Sequence, residues 1–347
     1  MGDGAFSPPT QAVIPWGFAR EDAAGLARAL TDAARFGFTR LLVPVPPDHA
    51  GRAHAIIAAL PPLPHLARVA VHALDRLSGL SALPLDRRFL LVDPGRVIQA
   101  NWLDLFATPA QAIVAGPDGA APAGLAGLDR DLLPALSGAD APRDVLARLG
   151  TVSGVARLRL PADAVCDSRP ATPARPERPA LFLDRDGTLN EDYGYVSDPA
   201  RLVLLPGAAQ AVKRANDLGW NVFLVTNQSG IGRGYYAEAD AIACNAALQE
   251  MLRVHGAHLD DIRYAADHPE AEEPRYRIAT GWRKPEPGML IDLMAHWPTV
   301  REMSLMVGDK DSDIAAGAAA GVRGLLFTGG DLDALVAPHL TGAPCSG

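Results

Sequence analysis

The run Leu181-Phe-Leu-Asp-Arg-Asp-Gly-Thr188 constrains this chain more than any other stretch of it. Four apolar residues, Ala180 to Leu183, stop at a carboxylate, a second carboxylate follows two residues later, and Gly187-Thr188 turns the backbone away. As a buried parallel strand, residues 180–183 deliver Asp184 and Asp186 to the carboxyl rim of an α/β sheet, where such folds bind ligands. Carboxylates held close together raise one another's pKa and need a shared proton or a cation. The simplest cation is a hard, oxygen-liking one, Mg²⁺. A D-G turn that only closes the strand fits the same residues, and the pentapeptide alone does not separate the two.

The chain has 347 residues, more than one hydrophobic core usually holds, which predicts two domains. Ser168-Arg-Pro-Ala-Thr-Pro-Ala-Arg-Pro-Glu-Arg-Pro179 carries four prolines in twelve residues and reads as a stiff extended spacer. The expected organisation is residues 1–167, a linker at 168–179, and residues 180–347. Both halves alternate helical and strand patterns, so the fold class is α/β, with two Rossmann-like parallel-sheet domains. In the first half, helices are expected over 21–35, 48–60 and 144–149, and strands over 38–45, 67–72, 88–93 and 155–160. In the second, strands are expected over 180–183, 220–225, 262–265, 303–307 and 323–327, and helices over 208–218, 237–254 and 314–321.

The formal charge of −8 provides no basic field for nucleic acid. Three scattered cysteines, Cys166, Cys244 and Cys345, make neither a disulfide framework nor a metal knuckle. The N-terminus lacks the layout of a signal peptide, and no apolar run approaches the roughly 18 residues of a membrane span. The expectation is a soluble, cytoplasmic protein without nucleic-acid or membrane partners.

Three later segments place polar groups where they could meet the opening pair. Thr226-Asn-Gln-Ser-Gly-Ile-Gly-Arg-Gly234 follows a strand and offers a hydroxyl, amides and backbone N–H groups for phosphate oxygens. Arg283-Lys284-Pro285 offers a point charge for an anion. Gly308-Asp-Lys-Asp-Ser-Asp313 ends another strand, so Asp309 could complete an oxygen site with Asp184 and the Asp186 carbonyl. Asp311 and Asp313 begin the next helix, and at least one is expected to be a cap.

Together these four motifs, in this order over about residues 179–335, resemble the haloacid dehalogenase (HAD)-like phosphatases. The resemblance implies that Asp184 attacks phosphorus and becomes an aspartyl-phosphate, that Asp186 acts as general acid and then base, and that Mg²⁺ sits on Asp184, Asp186 and Asp309. With Asp192-Tyr-Gly-Tyr195 added, the motifs are similar to those of the capless heptose-bisphosphate phosphatases and their histidinol-phosphate relatives. That likeness implies substrate contacts from Asp192, Tyr193, Gly194, Tyr195, Thr226, Asn227, Gln228, Ser229, Arg283, Lys284 and Lys310, and a sugar phosphate as substrate. Both groups usually carry a loop zinc; the corresponding positions here are Ala265, Asp267, Thr280 and Trp282, and no zinc is expected.

Residues 15–165 resemble the sugar nucleotidyltransferases in their order of elements, with Phe89-Leu-Leu-Val-Asp-Pro-Gly95 at that family's metal-binding strand end. The glycine-rich loop that would hold a nucleotide is missing from Gln11-Ala-Val-Ile-Pro-Trp-Gly17. This half is expected to keep the fold without the activity, and to serve for self-association or for a pathway partner. Asp93 is expected to be a turn residue.

Overall fold

The computed structural model describes residues 9–18, 23–60, 63, 65, 67–98, 101–106, 112–116, 124–136, 138–139, 141–149, 151–152, 155–160, 165–167 and 177–341. The chain divides into two compact units, Met1–Ala174 and Arg175–Gly347. Most of the proline-rich spacer, residues 168–176, lies outside the described residues. Its last part already belongs to the second unit: Arg178 pairs with Thr299, its N–H donating to Pro298 O at 3.1 Å.

The first unit contains β1 (Gln11–Val13), α1 (Ala23–Arg35), β2 (Arg40–Val45), α2 (Ala50–Ala58), β3 (Arg68–Ala73), β4 (Arg88–Val92), β5 (Arg96–Ile98), β6 (Ala112–Gly116), β7 (Leu125–Asp129), α3 (Pro142–Leu149), β8 (Ala156–Arg159) and β9 (Val165–Asp167). Seven strands form one sheet in the order β3-β2-β1-β4-β7-β6-β8, while β5 and β9 pair separately. The sheet is mostly parallel, but β7 runs antiparallel to both β4 and β6. Neither β6 nor β7 is among the expected strands. Leu125-Ala-Gly-Leu-Asp129 lacks the β-branched and aromatic residues that mark a strand. Its Gly127 serves packing, since a Cβ there would lie 2.8 Å from the Phe106 ring. Asp93 Oδ1 accepts the Gly95 N–H at 2.9 Å, the geometry of a local turn.

The second unit contains β10 (Ala180–Leu183), α4 (Ala208–Asp217), β11 (Asn221–Asn227), α5 (Ser229–Gly232), α6 (Glu238–Val254), β12 (Asp261–Ala265), α7 (Gly288–His296), β13 (Leu305–Gly308), α8 (Asp311–Ala319), β14 (Arg323–Leu326) and α9 (Leu332–Val336). Its five strands are all parallel, in the order β12-β11-β10-β13-β14. Strand residues alternate between two buried faces. Leu181, Leu183, Val222, Leu224, Leu305 and Val307 join one core. Ala180, Phe182, Phe223, Val225 and Met306 join the other. Apolar side chains on both faces explain why these strands read as unbroken hydrophobic runs.

The chain leaves β10 for β11 and β12 on one side and returns to β13 and β14 on the other. The order therefore reverses beside β10, where an open α/β sheet leaves a crevice at its carboxyl edge. No described helix is long and apolar enough to cross a membrane.

Trp220 is fully buried and donates its indole N–H to Thr341 O at 2.7 Å, tying the start of β11 to the end of the described chain. Trp220→Ala should cost about 3–5 kcal/mol, read as an earlier urea midpoint for the transition of the second unit.

Candidate active site

Backbone geometry at the end of β10 sets the first carboxylate. The Asp184 N–H still donates to Val307 O at 3.0 Å, so the residue stays in the ladder while its side chain reaches the rim. Gly187 then turns the chain with φ +83°, and a Cβ there would lie 2.5 Å from Asp309 Oδ2. Glycine is required on both counts, for the left-handed turn and for the close approach of the neighbouring carboxylate.

Lys284 occupies the centre of the site. Its Nζ lies 2.6 Å from Asp184 Oδ1, 2.6 Å from Asp313 Oδ1 and 2.8 Å from Val225 O, so each of its three N–H bonds has an acceptor. The side chain is almost wholly buried. Asn227 fixes the backbone that carries it, with Oδ1 accepting the Lys284 N–H and Nδ2 donating to Lys284 O, both at 3.0 Å. Asn227 thus spends its amide on positioning the lysine.

Oxygen atoms of Asp184, Asp309 and Asp313 all lie within 4.8 Å of one another. Two ammoniums, the buried Lys284 and the exposed Lys310, stand among four carboxylates, Asp184, Asp192, Asp309 and Asp313, and leave an excess of negative charge. Burial raises the Asp309 pKa above the usual carboxylate range; Lys310 opposes this, and Asp184 and Asp313 add to it. Asp309 Oδ1 is buried with no hydrogen-bond partner among the described residues. An orphaned carboxylate oxygen facing two others is a donor set suited to a divalent, oxygen-liking cation, and Mg²⁺ fits it. Asp313 also caps α8, its Oδ2 accepting the Lys310 N–H at 3.0 Å. The sequence motif marks it as a capping candidate; the structure adds it to the carboxylate cluster.

Asp186, two residues along, faces different partners. Arg185 is fully buried and grips it with two bonds, Nε to Oδ1 and Nη2 to Oδ2, each 3.0 Å. Asn190 Nδ2 donates to Oδ1 at 3.0 Å and Gln228 Nε2 to Oδ2 at 3.1 Å. The Asp186 side chain therefore lies outside the Asp184/Asp309/Asp313 cluster, and only its backbone carbonyl remains available as the expected metal ligand. Arg185 also donates to Asn245 Oδ1, Val196 O and Gln228 Oε1. Tyr236 donates its O–H to Gln228 Oε1 at 2.7 Å, and burial pushes its pKa up to about 12, so it remains a donor throughout the neutral range. Arg185 and Tyr236 are absent from the sequence-based residue set. Arg185 carries one signal, a charge inserted between two carboxylates at a strand end; for Tyr236 there is none.

Asp184, Asp186 and Lys284 line a cavity of about 250 Å³, while Arg185, Asn190 and Asp309 are not among its lining residues. Of the expected residues, Asp184, Asp186, Asp192, Gly194, Tyr195, Thr226, Asn227, Gln228, Ser229, Lys284 and Lys310 line it, joined by Tyr236, Ser312 and Asp313. Tyr193 does not line it; the Arg201 guanidinium lies 4.1 Å from its ring centroid. Arg283 is set back, its Nη1 donating to Asp267 O at 3.4 Å. Lys310 Nζ sits 3.5 Å from both Asp192 Oδ2 and Asp309 Oδ2. Of the four positions corresponding to the loop zinc, Ala265, Asp267, Thr280 and Trp282, none can supply a thiolate, so the residues do not fit that metal.

Two substitutions probe this arrangement. Lys284→Met should destabilise the second unit by about 3–5 kcal/mol in urea unfolding, because it leaves carboxylates buried and unpaired. Arg185→Lys keeps the charge but loses the two-pronged grip on Asp186, and should lower kcat about 10- to 100-fold with little change in KM, measured as phosphate release.

A family described as HAD-hydrolase-like matches residues 281–343. A D-glycero-beta-D-manno-heptose-1,7-bisphosphate 7-phosphatase from Rhodopseudomonas palustris is 42% identical over 165 residues, which span 48% of this chain and 92% of the relative. A D-glycero-alpha-D-manno-heptose-1,7-bisphosphate 7-phosphatase from Burkholderia mallei is 42% identical over 143 residues, 41% of this chain and 76% of the relative. Among solved structures, a D,D-heptose 1,7-bisphosphate phosphatase from B. bronchiseptica, complexed with magnesium and phosphate, is 31% identical, with a TM-score of 0.40 over 48% of this chain and 89% of that one. With a carboxylate-rich site at the sheet's carboxyl edge and a relative matched over nearly its whole length, the chain belongs, through its second unit, to the HAD-like family of heptose-bisphosphate phosphatases.

Proposed function

We propose that the second unit hydrolyses the 7-phosphate of a D-glycero-D-manno-heptose 1,7-bisphosphate. The observation that carries this reading is the convergence of Asp184, Lys284, Asp309 and Asp313 in one largely buried cluster, on a chain 42% identical over 165 residues to a phosphatase named for that substrate. Relatives of equal identity are named for opposite anomers, so the reading extends to either anomer.

The residues divide the work by their surroundings. Asp184 attacks phosphorus, forming an aspartyl-phosphate as the bond from phosphorus to the sugar oxygen breaks. Asp186 hands a proton to the departing oxygen, then takes one from the water that cleaves the acyl-phosphate. Gln228, Asn190 and Arg185 hold Asp186 in register for both transfers. Lys284 and Thr226 meet the phosphoryl oxygens, whose charge is spread in the transition state. Asp184, Asp309, Asp313 and the Asp186 carbonyl would hold Mg²⁺, which supplies electrostatic neutralisation of those oxygens.

The first unit is read as a nucleotidyltransferase-like fold used for association rather than catalysis. In support, the residues after β1, where a glycine-rich loop would begin, include the buried apolar Ile14 and Trp16. Calorimetry with nucleoside triphosphates should show no binding.

The deciding assay is phosphate release with Mg²⁺ over both heptose-bisphosphate anomers, histidinol phosphate and common sugar phosphates. A heptose bisphosphate should be the preferred substrate, and Asp184→Asn should be inactive on all of them. Preference for histidinol phosphate would reassign the substrate, and turnover by Asp184→Asn would overturn the mechanism.

A further inference from the structure

Tyr236 follows the short α5 and lines the cavity, yet it takes no part in the proposed proton transfers. Its place comes from the turn before it. The Gly234 N–H donates to Ile231 O at 3.1 Å and the Tyr235 N–H to Gly230 O at 2.9 Å, so the chain folds back over α5. The Tyr236 ring then lies on Gly230, where a Cβ would collide with it. The backbone thus aims one hydroxyl at one amide, Tyr236 O–H donating to Gln228 Oε1 at 2.7 Å.

The Gln228 side chain is buried, and its neighbours leave it one orientation. Arg185 can only donate, and its Nη2 lies 3.1 Å from Gln228 Oε1. On the other side, Gln228 Nε2 donates to Asp186 Oδ2 at 3.1 Å and to Thr226 Oγ1 at 2.9 Å. Turning the amide over would set Nε2 against the guanidinium and Oε1 against the carboxylate. The amide is therefore used at both ends: its oxygen takes two donors, and its nitrogen gives one proton to Asp186 and one to Thr226. A threonine hydroxyl that accepts in this way keeps its own proton for another acceptor. In the proposed mechanism that acceptor is a phosphoryl oxygen.

The same mechanism makes Asp186 alternate between carboxylic acid and carboxylate. Each protonation weakens its hold on the Gln228 nitrogen, because a neutral acid is a poorer acceptor than a carboxylate. The donors at Gln228 Oε1 do not change through the cycle. Arg185 stays charged, and Tyr236 keeps its proton, burial pushing its pKa up to about 12. A fixed oxygen end keeps the nitrogen end in register.

We infer that Tyr236 is a positioning residue, whose hydroxyl pins the Gln228 amide so that one side chain serves the proton carrier Asp186 and the phosphate-binding Thr226 together. This rests on the roles given to Asp186 and Thr226 in the proposed function, and not on which sugar phosphate is the substrate. Tyr236 acts through Gln228 on the chemical step rather than on substrate binding.

The test is a double-mutant cycle in the full chain with Mg²⁺, on the phosphate ester that the substrate panel finds best. Tyr236→Phe keeps the ring on Gly230 and removes only the hydroxyl. It should lower kcat about fivefold, the loss of one neutral hydrogen bond, and leave KM within about twofold of wild type. Gln228→Met removes the amide and fills similar space, with Arg185 and Asn190 still holding Asp186. In that background Tyr236→Phe should change kcat by less than about twofold, because the hydroxyl has no amide left to pin. An unchanged kcat in Tyr236→Phe, a raised KM with kcat intact, or an equal loss with and without the amide would overturn the inference alone. Asp186→Asn is measured beside them. If it turns over as fast as the wild type, the role of Asp186 as proton carrier falls, and this inference falls with it.

Discussion

The second unit is organised around one buried ammonium. Lys284 bridges Asp184 and Asp313 at 2.6 Å each and also bonds Val225 O, linking the end of β10, β11 itself and the first turn of α8. Buried carboxylates are costly unless paired and hydrogen-bonded, so these strand ends can meet only if a cation arrives with them. Lys284 comes from the segment before α7 and is seated by the two amide bonds of Asn227. Even so, the pairing is incomplete. Asp309 Oδ1 stays orphaned among the described residues, and the excess negative charge makes the site ready for a second, divalent cation. That electrostatic shortfall suits the site to a divalent cation, whose charge would neutralise the oxygens of a phosphate ester.

Asp184 and Asp186 are separated by a single residue, yet they stand in different electrostatic surroundings. Asp184 faces the lysine and two carboxylates, whereas Asp186 faces a buried arginine and two side-chain amides. Strand alternation accounts for the intervening Arg185, which points the other way, into the protein, and bends back through five acceptors on four residues. Its planar fork orients the carboxylate that a point charge would leave free to swing. In the proposed mechanism, nucleophile and proton carrier are told apart by their neighbours rather than by their own chemistry.

The loop at 266–283 shows how a departure from a family pattern is absorbed. Three backbone carbonyls are held by arginines, and one threonine hydroxyl ties its ends to a buried carboxylate. These are many weak directional contacts instead of one strong centre, and their pairing is not visible in the local sequence.

The chemistry of the second unit was legible from its residues because strand ends and glycine turns are local features. The run to Asp184, the turn at Gly187, the Thr226 segment and Asp309 all stand where periodicity and motif place them. The mostly parallel α/β architecture was legible for the same reason. The antiparallel β7 was not, because Gly127 serves its close approach to the Phe106 ring, a tertiary contact that local pattern does not show. Tertiary structure alone decided that Asp313 joins the carboxylates, that Arg185 holds Asp186, that Tyr193 turns to Arg201, and that Asp267 finds Thr280. Local sequence determines which backbone ends at a carboxylate or must be glycine. Which charges then meet depends on the folded chain bringing distant segments within hydrogen-bond reach, at the 100-residue separation between Asp184 and Lys284.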